Sequence, residues 1–418
     1  MHSFIRAALL LLLGFATSAQ AQIETPDAAL QRDAATWGAV AGLPPAEAAR
    51  QLRAQGETVA VTDALATEFA DRLAGIVVEH RPAYLIRVLL TGDAPVPDRH
   101  VLAGGIDVPI EFRTGALATR TALVAALREH QAAIRASLSR PPGLGVDEGA
   151  GALAVLVANA DMDGHAPGEL EQRFADLAGV PVIVRPFDRA DADSAVEGGS
   201  RVVGVNPADG RRYACTTGFV VTDGARDGVV TAAHCPDTLA FVEQDRTELP
   251  LTFAGQWGWS FQDVQLHLAT APLQPLFYAD TAKTLTRVVT GVRPRASTRV
   301  GDVVCHRGER TGYSCAEVRY VDFAPAGDLC GGPCAPTWVA VSGPSCRAGD
   351  SGGPVFDGAV ALGIVKGSST RPDGTCGLYY YQSTDYLPHG WRVLVAGDPP
   401  LQGEVAAHSA DGGVSTSR

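Results

Sequence analysis

The sequence predicts an all-β C-terminal domain preceded by an α/β N-terminal domain. Three observations predict it. Between about 26 and 190, helical and extended apolar patterns alternate, whereas from 201 onward apolar residues fall in short runs split by Gly and Pro. All eight cysteines lie from Cys215 to Cys376, and the first half has none. Between the two textures, about 186–200 is rich in Asp and Gly (Asp188, Asp191, Asp193, Gly198, Gly199, Ser200), the composition of a linker and of a processing region.

In chain order, Thr62 to His80 reads as an amphipathic helix with Leu65, Phe69, Leu73, Ile76 and Val77 on one face. Tyr84 to Leu90 follows as a strand ending at Thr91-Gly92-Asp93. Thr121 to Leu138 reads as a second helix, stopped by Pro141-Pro142-Gly143. Ala152–Val157 and Val180–Val184 read as strands flanking a helix from about Pro167 to Leu177. In the second half the short strands include Gly218–Val221, Gly228–Thr231, Val264–Leu268, Val300–Val304, Pro354–Phe356 and Val360–Val365, a spacing typical of a sandwich or barrel. Gly397 to Arg418 has the Gly, Ser and Ala content of a disordered tail.

The chain has 418 residues and a net charge of −12, with no Lys/Arg block, which argues against a nucleic-acid partner. The first 21 residues carry Arg6, an apolar run from Ala7 to Ala16 and Ala19-Gln20-Ala21, the pattern of a secretory signal. That run falls short of the roughly 20 residues a membrane span needs, so a secreted protein, extracellular or periplasmic, without a membrane anchor is expected. Export makes disulfides the default, and eight cysteines allow 105 pairings, so spacing alone does not choose among them. No histidine stands at finger-like spacing from them, which argues against zinc.

Two strings carry the chemistry. Gly349-Asp350-Ser351-Gly352-Gly353-Pro354 sets a serine among glycines, and Thr231-Ala232-Ala233-His234-Cys235 supplies a histidine upstream. A serine hydroxyl is a weak nucleophile near neutral pH and needs an adjacent base. The glycines let the backbone come close and aim N–H groups at a developing oxyanion. These strings resemble the GDSGGP and TAAHC signatures of the chymotrypsin-like serine peptidases. The resemblance implies two antiparallel six-stranded β-barrels at 199–396, and a serine endopeptidase that hydrolyses polypeptides through an acyl-enzyme without metal or organic cofactor. It makes Ser351 the nucleophile, His234 the general base, and the Gly349 and Ser351 N–H groups the oxyanion hole. In this family the acid opens a strand between histidine and serine. Asp263, ahead of Val264-Gln265-Leu266, fits better than Asp237 or Asp245. With a reference histidine pKa near 6.5, activity is expected to rise around pH 6 to 8.

Cys305-His306-Arg307-Gly308-Glu309-Arg310-Thr311-Gly312-Tyr313-Ser314-Cys315 is similar to a hairpin of the bacterial alpha-lytic/streptogrisin branch. In the short-loop pairing, Cys215–Cys235, Cys305–Cys315 and Cys346–Cys376 match bridge positions of that branch, and Cys330–Cys334 is left to staple its own loop. The branch is made with an N-terminal pro-region, so 22–198 is expected to be one, bound to a monomeric peptidase domain and cleaved from it, or retained as an inhibitory partner. Three departures stand out. His306 occupies the place of an arginine that pairs with the Asp before the nucleophile, leaving Asp350 to find Arg307 or His306. The segment from Cys346 to Ser351 is a residue short of the streptogrisin pattern. Lys366, one of two lysines in the chain, stands where the family commonly has Ser; it is either a solvated surface residue or, with Ser345, Gly367 and Ser368, part of the substrate pocket. That pocket has no carboxylate just before Cys346 and would take apolar or aromatic side chains.

Two other readings fit less well. Gly349–Gly353 also satisfies the α/β-hydrolase elbow G-x-S-x-G, but that fold needs a helix after the serine and a histidine later in the chain. A non-catalytic homologue would normally have lost His, Asp or Ser.

Overall fold

The protein is described by a computed structural model covering 22–162, 165, 168–186, 200–243, 246–269, 273–327, 329–371 and 373–398. The signal-like segment, most of the Asp- and Gly-rich linker, Asp245 and the tail beyond 398 lie outside the described residues.

The N-terminal half opens with helices α1 (Pro26–Ala41) and α2 (Pro45–Glu68). Thr25 caps α1 by accepting from the Ala28 N–H, and Gly42 in the left-handed region ends it. Strands β1 (Leu73–Glu79), β2 (Leu85–Thr91), β3 (Arg99–Ala103) and β4 (Ile106–Ala116) form a sheet in the order β1-β2-β4-β3, on which α2 packs through Ala54 and Leu65. The helix expected over Thr62 to His80 therefore stops at Glu68. Ile76, Val77 and Val78 are β-branched and gain a cross-strand partner in β2, which outweighs a spacing that suits either period. Helix α3 (Arg120–Ala136), β5 (Gly143–Asp147), β6 (Ala152–Val157), α4 (Glu169–Ala178) and β7 (Val182–Pro186) make a second unit. Its core is Leu123, Leu127, Ile134, Val155 and Phe174.

In the C-terminal half, β8 (Arg201–Val205), β9 (Arg212–Thr216), β10 (Val220–Thr222), β11 (Asp227–Thr231), β12 (Leu239–Val242), β13 (Glu248–Pro250), β14 (Thr252–Trp257) and β15 (Val264–Leu268) come first. They form two sheets, β9-β8-β12-β13 and β14-β15-β11-β10, the latter extended by Arg392–Val393. The six-stranded ring expected here is not closed by strand pairing among the described residues. The chain leaves one ladder for the other after β9 and at Leu251, so no pairing joins the sheets among the described residues.

The second lobe does close. Strands β16 (Val303–Gly308), β17 (Gly312–Ala324), β18 (Trp338–Ser342), β19 (Pro354–Asp357), β20 (Val360–Thr370) and β21 (Cys376–Ser383) pair in the ring β16-β19-β20-β21-β18-β17, and β17 pairs back to β16. Val304, Val318, Val341, Val355 and Leu362 fill this six-stranded barrel. The bonds Cys215–Cys235, Cys305–Cys315, Cys330–Cys334 and Cys346–Cys376 are all formed.

The two halves are packed together. β5 adds to the barrel by pairing with the end of β17, Phe323 opposite Gly145 and Ala324 opposite Leu144. The Gln55 side chain binds strand β16, accepting from Val303 N at 2.6 Å and donating to Val303 O at 3.0 Å. Arg287 reaches back to Glu24 and, with two contacts, to Asp33, at 2.8–2.9 Å and with all three side chains buried.

His80 lies in the same interface, with Nε2 2.8 Å from the Gly301 carbonyl oxygen, and burial pulls its pKa down to about 4. The unfolded chain, near 6.5, then binds a proton that the folded chain refuses, so this contribution is whole above pH 6.5 and fades as pH falls toward 4. Chemical denaturation across that window should show stability dropping by up to about 1.4 kcal/mol per pH unit for this one group, with a flatter slope for His80→Gln. Equal slopes would contradict the assignment.

Candidate active site

His234 sits in the turn after β11, and Asp263 immediately precedes β15; the two strands are neighbours, with Thr231 opposite Gln265. That pairing brings residues 29 apart in sequence into contact. Asp263 Oδ1 accepts from the His234 N–H at 3.1 Å, and Oδ2 lies 2.8 Å from His234 Nδ1. One carboxylate therefore fixes both the backbone and the ring, which leaves Nε2 as the ring's acceptor. Asp263 is buried and its own N–H donates to Gln382 Oε1 at 2.5 Å. Burial by itself would raise its pKa, but the adjoining His234 and Lys366 overcome this and hold the carboxyl well below the usual range.

Ser351 follows a turn between Cys346 and β19. Its carbonyl oxygen accepts from Thr216 N at 2.7 Å, tying the turn to β9. Gly352 has φ +87°, and a Cβ there would lie 2.2 Å from the Thr216 carbonyl oxygen, so only glycine allows this approach. Ser351 and His234 line one cleft of about 590 Å³, with Tyr213, Asp237 and Gln256 on its walls. The Gly349 and Ser351 N–H groups donate to no protein acceptor among the described residues. They remain available to an anionic oxygen. The Ser351 hydroxyl donates to the Lys366 carbonyl oxygen at 3.2 Å.

Lys366 is the main surprise. It is 2% exposed, which rules out a solvated surface residue. Its Nζ donates to Asp263 Oδ2 at 2.9 Å, the oxygen that also meets His234 Nδ1, and lies 5.4 Å from the Trp338 ring centre. The ammonium is thus directed to the carboxylate. Gly367 and Ser368 follow on β20, half-buried, with open space where a Gly367 Cβ would stand. Ser345 is half-buried beside Cys346. None of these three lines the cleft shared by His234 and Ser351.

Asp350 is satisfied without either cation expected for it. Its carboxylate accepts from Arg310 N, Thr311 N and Arg347 N at 2.9–3.1 Å and from Thr311 Oγ1 at 2.7 Å. Arg307 instead holds Glu309 at 3.1 Å, and burial lowers the pKa of His306, which favours its neutral form. Four donors from the hairpin and the serine turn do the work of a counter-ion. Gln382 is the positioning residue that sequence reasoning missed; it lies on the last barrel strand, and no local string marks it.

No family model matches the chain. Streptogrisin-C of Streptomyces griseus is 26% identical over 262 residues, which is 59% of this chain and 53% of that protein. The chain thus spans about half the length of this curated relative. Among solved structures, Protease A of Thermobifida fusca is 23% identical and matches 48% of this chain and all of its own, at a TM-score of 0.37. Cellulomonas bogoriensis chymotrypsin is 24% identical and matches 48% of this chain and 98% of its own, at a TM-score of 0.36. Over the matched residues the chain is thus similar to a bacterial streptogrisin.

Proposed function

We propose that the protein is a secreted serine endopeptidase. Ser351 attacks the scissile carbonyl while His234 takes the hydroxyl proton at Nε2 and returns it to the leaving amine. Asp263 holds the ring through Nδ1, and the Gly349 and Ser351 N–H groups receive the oxyanion. The observation that carries this reading is the 2.8 Å contact of His234 with buried Asp263, in a cleft that Ser351 shares. Four disulfides and the similarity to streptogrisin-C support an oxidising destination outside the cytoplasm. Among the described residues no helix is long and apolar enough to cross a membrane.

In this reading 199–396 forms two barrels of chymotrypsin type, the first built from the paired sheets of β8–β15, and acts as a monomer on polypeptides. Residues 22–198 are its pro-region, supported by the β5–β17 pairing and the buried ions on Arg287, and separated by cleavage within 187–199. Ser345, Gly367 and Ser368 form the neutral pocket for the residue before the cut. The chemistry needs no cofactor. The test is digestion of unfolded casein by the purified chain beside Ser351→Ala. Peptides released by the first and not by the second are the expected result. Equal release, or none from either, would sink the proposal.

A further inference from the structure

The Asp263 carboxylate faces an imidazole and an ammonium. His234 Nδ1 and Lys366 Nζ approach the same oxygen, Oδ2, at 2.8 and 2.9 Å. Both ends of the Lys366–Asp263 pair are buried, with side-chain exposures of 1% and 2%. The backbone explains how a lysine comes to stand there. Val365 pairs with Tyr381 and Gly367 with Tyr380, so Lys366 is the extra residue of a β-bulge on β20. A bulge re-aims a side chain and releases a carbonyl from the ladder. Here the side chain turns to Asp263, and the carbonyl accepts from Ser351 Oγ at 3.2 Å. One residue thus touches the acid by its ammonium and the serine by its backbone.

We propose that Lys366 is a positioning residue of the triad, sharing the Asp263 carboxylate with His234 so that the base works at lower pH than an unshared Asp–His pair would. This rests on the roles given above to His234, Asp263 and Ser351. A protonated imidazole would meet a carboxylate whose charge is already balanced by a buried ammonium, which disfavours the charged ring. The groups around the pair leave this balance in place. Trp338 from β18 and Gln382 from β21, which enclose the ammonium and the carboxylate, carry no charge; Ser351 and, at the cleft wall after Cys235, Asp237 share the cleft with His234. The largest side-chain effects on Asp263 come from His234 and Lys366. The range of pH 6 to 8 expected from a reference histidine therefore moves downward.

The test uses the full chain as wild type, Lys366→Ser and Lys366→Arg. His234 is titrated by NMR of ring-labelled histidine, with its signal identified by loss in His234→Ala. In parallel, the rate of fluorophosphonate capture by Ser351 is followed from about pH 4 to pH 9, a range chosen to bracket the reference histidine pKa. For Lys366→Ser, the His234 midpoint and the acid limb of capture should both rise by about one pH unit, a tenfold change in proton affinity. Lys366→Arg should stay near the wild type. A folded Lys366→Ser chain with an unmoved midpoint overturns the proposal, since a merely structural lysine would leave the titration where it was. If Lys366→Ser does not fold, the wild type decides: a His234 midpoint below the reference value near 6.5 supports the proposal, and one at or above it overturns it. The NMR midpoint needs no turnover, so failure of Ser351 to capture the probe would defeat the peptidase reading separately from the lysine's effect on His234.

Discussion

Replacing Asp263 with Ala should lower kcat/KM by about 10⁴-fold, because the ring of His234 loses the group that fixes its tautomer and balances the imidazolium. It should also destabilise the protein, more than the loss of a triad acid that had only the histidine as partner. Lys366 would be left charged, buried and without its partner, and breaking a buried pair from one side costs about 3–5 kcal/mol. The two effects separate in a double variant. Asp263→Asn with Lys366→Met removes both charges while keeping the shapes close, so stability should recover most of its loss while activity stays low. Urea denaturation and peptide hydrolysis on the same samples check this. An Asp263→Ala chain that unfolds at the wild-type midpoint would contradict the buried ion pair.

The second large effect is expected far from the cleft. Arg287 is 1% exposed, and its guanidinium binds Glu24 and Asp33 of the N-terminal half while also donating to the Gly358 carbonyl oxygen at 3.0 Å. Arg287→Met leaves Asp33 buried without its cation and Glu24 with Arg32 alone, a loss of about 3–5 kcal/mol in the joined chain. Measured in a Ser351→Ala background, so that self-cleavage does not intervene, the variant should unfold at clearly lower urea and expose the linker to added protease. Part of the loss should return when Asp33→Asn and Glu24→Gln are added, because neutral amides are less costly to bury than orphaned charges. A loss under about 1 kcal/mol would mean that these ions contribute little to holding the halves together, as is usual for exposed pairs.

The parts of this molecule that were legible in its sequence are those whose chemistry is local. The serine needs glycines at its own turn, and the histidine follows directly on β11, so each writes a contiguous string. Asp263 was readable one step further out, because a carboxylate opening an alternating strand is a pattern in itself. Lys366 was not readable in the same way. Its partner is 103 residues away, and a lone lysine in an apolar strand fits a surface position as well as a buried pair. The available signal was its place in the strand after the nucleophile, where the family carries a small hydroxyl residue. For Asp350 the sequence suggests an ion pair, whereas N–H donors from the hairpin and the serine turn suffice. Helices α1 and α2 were missed from 26 to 61 since their alanine-rich faces give little contrast between the buried and exposed sides. The strand at Leu73–Glu79 was hidden by apolar residues that satisfy two periods at once.

The most direct measurement is intact-mass analysis of the purified chain after reaction with a fluorophosphonate probe, followed by peptide mapping. A single adduct on Ser351, absent from Ser351→Ala and strongly slowed in His234→Ala, is the result predicted here. An adduct on any other residue, or none at all on a folded chain, would contradict the assignment of Ser351 and His234 as nucleophile and base.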